Sequence, residues 1–197
     1  MFNCIRILSI PTPTGIDKVI SEAQSKLSSV VWLTHIFGKA YLKKESNDGF
    51  ITNIPKAWGG NNEYISLLPC DDEKAFCFFE SFEDENVTGY EAGSYVLSSE
   101  TEISLVVFAN LNLIDRNLDY LFTEELKNDI LFALKDVKYI SSINSIQKGL
   151  DNAYSKWSYE TVDPLFYSEK YSAFKINFTA VLNGECYDPI GYNQTYC

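Results

Sequence analysis

Thr101-Glu102-Ile103-Ser104-Leu105-Val106-Val107-Phe108-Ala109-Asn110-Leu111-Asn112-Leu113 is the stretch on which the fold turns. Ile103, Leu105, Val107, Ala109, Leu111 and Leu113 fall on every second position, the period of a β-strand. Val106 and Phe108 are apolar on the opposite face, so the strand is covered on both sides and central to its sheet. The pattern predicts a strand over 102–113, paired in a hairpin with 94–98 through a turn near Ser99.

Working outward, Phe174, Ile176, Phe178, Ala180 and Leu182 alternate with Lys175, Asn177 and Thr179. This reads as a closing strand with its polar face toward water or a neighbour, ended by a turn at Asn183-Gly184. Upstream, 30–37 is β-branched and aromatic, with Gly38 as a bulge and 40–42 continuing the ribbon. Residues 64–68 and 75–82 read as two further strands. Thr14 opens a helix as its cap, with Asp17 as the acidic partner, and Ile16, Val19, Ile20, Ala23 and Leu27 form one stripe. Thr123 caps a second helix with Glu124 and Glu125 in its first turn and Leu126, Ile130, Ala133, Leu134 and Val137 as its buried face. Between 143 and 157 the spacing fits a helix, weakened by Gly149, and a strand nearly as well. Residues 46–60, with Asn-Asp-Gly, a proline and Gly59-Gly60, read as a loop or a long hairpin tip, and 80–93 as an acidic loop. The order predicts an α+β sandwich over 1–197, a mainly antiparallel sheet with two helices on one face.

The chain of 197 residues carries 27 Asp plus Glu against 16 Lys plus Arg, a net charge of −11. That balance argues against a general surface that grips nucleic acid or anionic lipid. With 46% hydrophobic and 15% aromatic residues, the composition excludes a disordered or fibrous chain. No apolar run approaches the roughly 20 residues of a membrane span. Arg6 and Pro11 interrupt the apolar start, so it reads as a short strand or arm rather than an export signal. Cys4, Cys70, Cys77, Cys186 and Cys197 are odd in number and scattered, and reduced thiols in a cytoplasmic setting are expected.

Candidate chemistry is sparse. His35 is the sole histidine and lies in an apolar stretch, where a structural role outweighs a catalytic or metal-ligating one. Cys70 and Cys77 lack zinc spacing, and neither a phosphate-binding glycine motif nor a catalytic motif occurs. The expectation is no enzyme activity, no metal and no cofactor. The acidic residues Glu80, Glu83, Asp84, Glu85 and Glu91 form the one surface feature worth following. Calcium would need several oxygens from one loop, but the EF-hand spacing is absent and a solvated loop is the plainer reading. The aromatics Trp157, Tyr159, Phe166, Tyr167, Tyr171 and Phe174 read as core and subunit-interface packing rather than a base-stacking platform.

The stretch from Thr101 to Ile114, the helix at Thr123, Ile146-Gln147-Lys148, then Tyr171-Ser172-Ala173-Phe174-Lys175-Ile176-Asn177-Phe178-Thr179 and Cys186 follow one another in a suggestive order. This order resembles small neck proteins of bacteriophages and prophages of Bacteroidetes hosts, crAss-like phages included, whose fold is similar to that of the tail terminators. The resemblance implies a virion protein forming a ring of six or twelve copies at the head–tail junction or tail end. DNA would pass through its bore, with adjacent neck, portal-side or tail proteins as partners and no catalytic residues. Within such a ring the acidic residues Glu80, Glu83, Asp84, Glu85 and Glu91 are expected at the bore or at the next ring. The competing reading is an acidic cytoplasmic binding or inhibitor module that meets a basic partner one to one.

Overall fold

The computed structural model describes residues 6–7, 13–47, 50–60, 63–90, 96–115, 122–157 and 164–186. Its centre is β7 (Val96–Asn110), where Ile103, Leu105, Val106, Val107, Phe108 and Ala109 are all fully buried. Antiparallel neighbours flank it, β5 (Ala75–Glu80) on one side and β9 (Tyr171–Cys186) on the other. Beyond β9 lies β8 (Ile140–Lys148), and beyond β5 come β2 (His35–Asn47), β3 (Phe50–Gly60) and β4 (Glu63–Ser66). Two short strands complete the sheet: β1 (Arg6–Ile7) beside β2, and β6 (Asn86–Tyr90) beside β7. Among the described strands, only the β1–β2 and β2–β5 pairs are parallel. The class is α+β with a mainly antiparallel sheet, as the alternation predicts.

Two cores share this sheet. On one face α1 (Ile16–Leu27) and α3 (Thr123–Leu134) bury Val19, Ile20, Ala23, Leu27, Leu126, Ile130 and Leu134. They pack against Ile103, Leu105, Val107, Phe174, Ile176 and Phe178 of the sheet. The second face holds Phe76, Phe78, Val106, Phe108 and Ala173. It is covered by the short helix α4 (Leu150–Ala153) and Tyr154 and Trp157 after it, with Ala57 and Leu67 from the β3–β4 side. Tyr154 is fully buried and satisfies its hydroxyl by donating to the Leu67 carbonyl at 2.9 Å.

Several local expectations are corrected. The α1 side-chain cap does not form; Gly15, at φ 55°, precedes the helix, and the Thr14 carbonyl accepts the Asp17 amide. Likewise no side chain caps α3, and the Thr123 hydroxyl bonds that of Ser172 at 2.9 Å. Residues 30–34 are not strand. The Leu27 carbonyl accepts the Val30 amide and the Val30 carbonyl accepts that of Leu33, so Val30, Trp32 and Leu33 are apolar because they seal the end of α1. The sheet register shifts between Ile36 and Lys39, where the Gly38 bulge is expected.

Residues 50–60 are β3 rather than loop, a hairpin arm whose proline lies just outside the β4 ladder. The acidic stretch likewise contains β6. No hairpin turns at Ser99: β7 is one unbroken strand with a register shift between Leu97 and Ser99, and it ends in the helical turn α2 (Leu111–Ile114). The 143–157 ambiguity resolves into β8 followed by α4, with Gly149 at φ 89° between them. The closing strand runs through Asn183-Gly184 to Cys186.

Candidate functional site

The acidic residues divide between two environments. Glu83, Asp84 and Glu85 are exposed in the turn between β5 and β6, while Glu91 lies outside the described residues. Glu80 belongs elsewhere, because it is the last residue of β5 and points into the second face, 1% exposed. A side chain buried within the subunit cannot line a bore, so the expectation for Glu80 is wrong. The alternation of β5 dictates this: Phe76 and Phe78 face the second core, and Glu80 is next in that row.

Around Glu80 the chain builds a closed polar node. The Trp157 indole donates to Glu80 Oε1 at 2.5 Å, and Lys175 Nζ stands 3.2 Å from Oε2 as an ion pair. Lys175 also donates to the Ser155 hydroxyl at 3.3 Å. Its side chain is 2% exposed, which overturns the expectation that Lys175 faces water. Burial pushes the Glu80 carboxyl above the ordinary carboxylate range, against the opposing pull of Lys175 and the Trp157 hydrogen bond. Phe82 covers the node from outside, meeting the Trp157 ring edge-to-face at 5.3 Å. Glu83, at the surface, pairs with Lys156 at 2.6 Å, and that hydrogen bond lowers its pKa. The node therefore pins the segment 150–157 to the sheet.

From the node a polar ladder crosses the second face toward the β8 edge. The Ser104 hydroxyl donates to Asn177 Oδ1 at 2.6 Å, and the Asn177 amide to the Ser145 hydroxyl at 2.8 Å. Asn144 donates to the Thr179 hydroxyl at 2.9 Å. Residues 141–145 of β8 are exposed, Ile143 included.

At the other end of β8 lies a cleft of about 440 Å³ lined by Thr123, Glu124, Lys148, Gly149, Tyr171, Ser172 and Ala173. Its charges are spent internally, since Lys127 and Lys148 both donate to Glu124. His35 pairs with Glu73 at 3.0 Å and stacks on Phe37. The Cys77 thiol is buried in the first core, and burial raises its pKa far above the usual range, the opposite of an activated nucleophile. Cys70 and Cys77 are both free thiols. Among the described residues no three His, Cys, Asp or Glu side chains are grouped to hold a metal ion, and no helix is long and apolar enough to cross a membrane.

The aromatic run from 157 to 174 splits. Trp157 and Phe174 are buried in opposite cores, Phe166 and Tyr171 pack edge-to-face against each other, and Tyr167 is exposed. Tyr159 lies outside the described residues. A second aromatic group, absent from the sequence reading, stands on the β2–β4 ribbon: Tyr64 meets Tyr41 and Trp58 edge-to-face. Its members are far apart in sequence, and only strand register brings them together. No protein-family model, no curated protein and no solved structure matches the chain.

Proposed function

We propose that this chain is a structural subunit of a phage virion, assembled in the bacterial cytoplasm into a ring of six or twelve copies at the head–tail junction or tail end. DNA passes through the bore without sequence-specific binding. The observation that carries the reading is the open sheet with its unguarded edge. Nothing among the described residues pairs the outer side of β8, which holds no proline and whose single charged residue is the terminal Lys148, bonded to Glu124. Soluble proteins normally protect such an edge with lysine, proline or a covering element, so an unprotected one fits a subunit that meets neighbours. The order of resemblance along the chain supplies the class of neighbour, namely adjacent neck, portal-side or tail proteins. A net charge of −11 per copy suits a conduit, because a negative lining repels phosphate and lets DNA slide.

The test is proteomics of purified virions together with symmetry-averaged images of the neck. The chain should be present in a small integer multiple of six and occupy a ring density. Virions that lack it refute the proposal. A one-to-one complex with a basic host or phage protein would favour the acidic binding module instead.

A further inference from the structure

Among the described residues, two exposed apolar patches lie toward opposite faces of the sheet, one flanked mainly by lysines and the other mainly by carboxylates. The first is the outer face of the β2–β4 ribbon. Tyr41, Trp58 and Tyr64 form one cluster there, with ring centroids 5.9 and 5.5 Å from Tyr64, and all three are 39–52% exposed. Ala40 and Ala57, next to Tyr41 and Trp58 in their strands, point into the second core, so the aromatics point away from it. Lys56 stands opposite Tyr41 in the ladder, and Lys39 is two residues before it on the same face. The segment 35–66 holds Lys39, Lys43, Lys44 and Lys56 against Glu45, Asp48 and Glu63, which makes it 4 − 3 = +1 in a chain of −11, and Asp17 of α1 is near enough to act on Tyr41.

The second patch is the turn between β5 and β6. Phe82 and Val87, 39% and 60% exposed, bracket Glu83, Asp84 and Glu85. Residues 80–91 contain no lysine or arginine, and Lys156, which pairs with Glu83 and lies 5.7 Å from the Phe82 ring centroid, leaves Asp84 and Glu85 as the carboxylates the patch presents. Phe82 packs on Trp157, so this patch opens on the second-core side.

We infer that the Tyr41–Trp58–Tyr64 face of one copy docks on the Phe82–Val87 acidic face of the next. Each patch has an apolar centre, and the lysines around one match the carboxylates of the other, the complementarity that orients partners. Patches toward opposite faces of one sheet cannot satisfy each other within it. Between copies they make a head-to-tail contact, which closes into a ring when the rotation permits. The inference rests on reading the chain as a ring subunit and supplies that ring's lateral contact. It also gives subunits of like net charge a local attraction that acts against their repulsion.

Sedimentation velocity on the purified chain tests it with two variants. Lys39→Glu/Lys56→Glu reverses the ribbon, and Asp84→Lys/Glu85→Lys reverses the turn. The wild type should self-associate, less so as salt screens the contact. Each variant alone should associate about a hundredfold more weakly, because like charges then face each other. Mixed in equal amounts, the two variants should recover association, since every contact is again between opposite charges. A misfolded variant could not be rescued in this way. Undiminished association of either variant, no recovery on mixing, or a wild type that stays monomeric overturns the contact. None of those outcomes touches the virion result: variants that fail this test but still enter a neck ring leave the ring reading standing with a different lateral surface.

Discussion

Lys175→Met asks whether the ion pair beneath Trp157 holds the second face of the sheet together. The two charges lie 3.2 Å apart, with side chains 2% and 0% exposed. At an effective dielectric of about 20, that separation corresponds to about 5 kcal/mol of attraction, set against the cost of removing both ions from water. Methionine forfeits the attraction and leaves the desolvation of Glu80 in place, so the expected loss is about 3–5 kcal/mol at neutral pH. The sign with pH follows from Glu80. Burial already raises its pKa against the pull of Lys175, and without that pull the rise is larger. A carboxyl raised in the folded state contributes its stability below the unfolded value, about 4.3, and loses it as pH rises through the folded value. The deficit of Lys175→Met should therefore widen once the pH passes the folded value of the wild-type carboxyl, itself above the ordinary carboxylate range, because from there only the variant goes on losing stability. Urea unfolding monitored by tryptophan fluorescence measures it: at a slope of about 2 kcal/mol/M, the midpoint should fall by about 1.5–2.5 M at neutral pH. Glu80→Gln/Lys175→Met removes both charges and keeps an acceptor for the Trp157 indole. It should recover most of the loss and flatten the pH dependence. A single-variant deficit below about 1 kcal/mol, the size expected of a surface lysine, or one that does not change with pH, refutes the reasoning.

The remaining expectations are simpler to measure. Phe178→Ala opens a cavity under α1 and α3 and should cost about 3–5 kcal/mol in chemical unfolding. Tyr154→Phe strands the buried Leu67 carbonyl and should cost about 1–3 kcal/mol by the same assay. Gly149→Ala meets no steric obstacle but is held at φ 89°, so a loss of about 1–3 kcal/mol in thermal or urea unfolding is expected. On the proposed reading, reversing Glu83, Asp84 and Glu85 to Lys in the phage should impair particle assembly while leaving the isolated subunit's melting temperature nearly unchanged; wild-type infectivity would place that turn on open solvent.

The central strand is legible because burial on both faces makes its composition independent of what covers it. Ile103 and the run from Leu105 to Ala109 have to be apolar whichever element lies above or below. Chain punctuation misleads where tertiary pairing overrides it. Pro55 and the paired glycines suggest loop, yet β2 and β4 supply ladders on either side of β3. The run 30–37 is ambiguous for the opposite reason: a helix stop that must seal a core is as apolar as a strand. Lys175 marks the limit of alternation. Its place on the polar face of β9 is readable, but its burial depends on Glu80 and Trp157, which no local pattern links to it. The acidic site was readable only as a run of charge, and Glu80 could not be separated from Glu83 until β5 fixed its direction.

The polar ladder bears on what the β8 side of the sheet can accept. Ser104, Asn177 and Ser145 are bonded in a row across three strands and Asn144 is bonded to Thr179 beside them, so their positions are set before any partner arrives. Ordering these groups on contact therefore costs less entropy than ordering free side chains. An edge strand of serine and asparagine also offers main-chain donors and acceptors without a large apolar surface, which favours a wet, reversible contact over a permanent one. The aromatic ribbon and the Phe82–Val87 turn have the opposite character, apolar at the centre and charged at the rim. On the proposed reading these two surfaces divide the work of a ring in a stack. The charged, aromatic pair sets the lateral contact between copies, and the β8 edge meets the proteins above or below. Ile143→Lys places a charge in that edge at an exposed position, so it should leave folding and lateral association intact while stopping incorporation into the neck. Loss of self-association in that variant would mean that β8, rather than the ribbon, joins copy to copy.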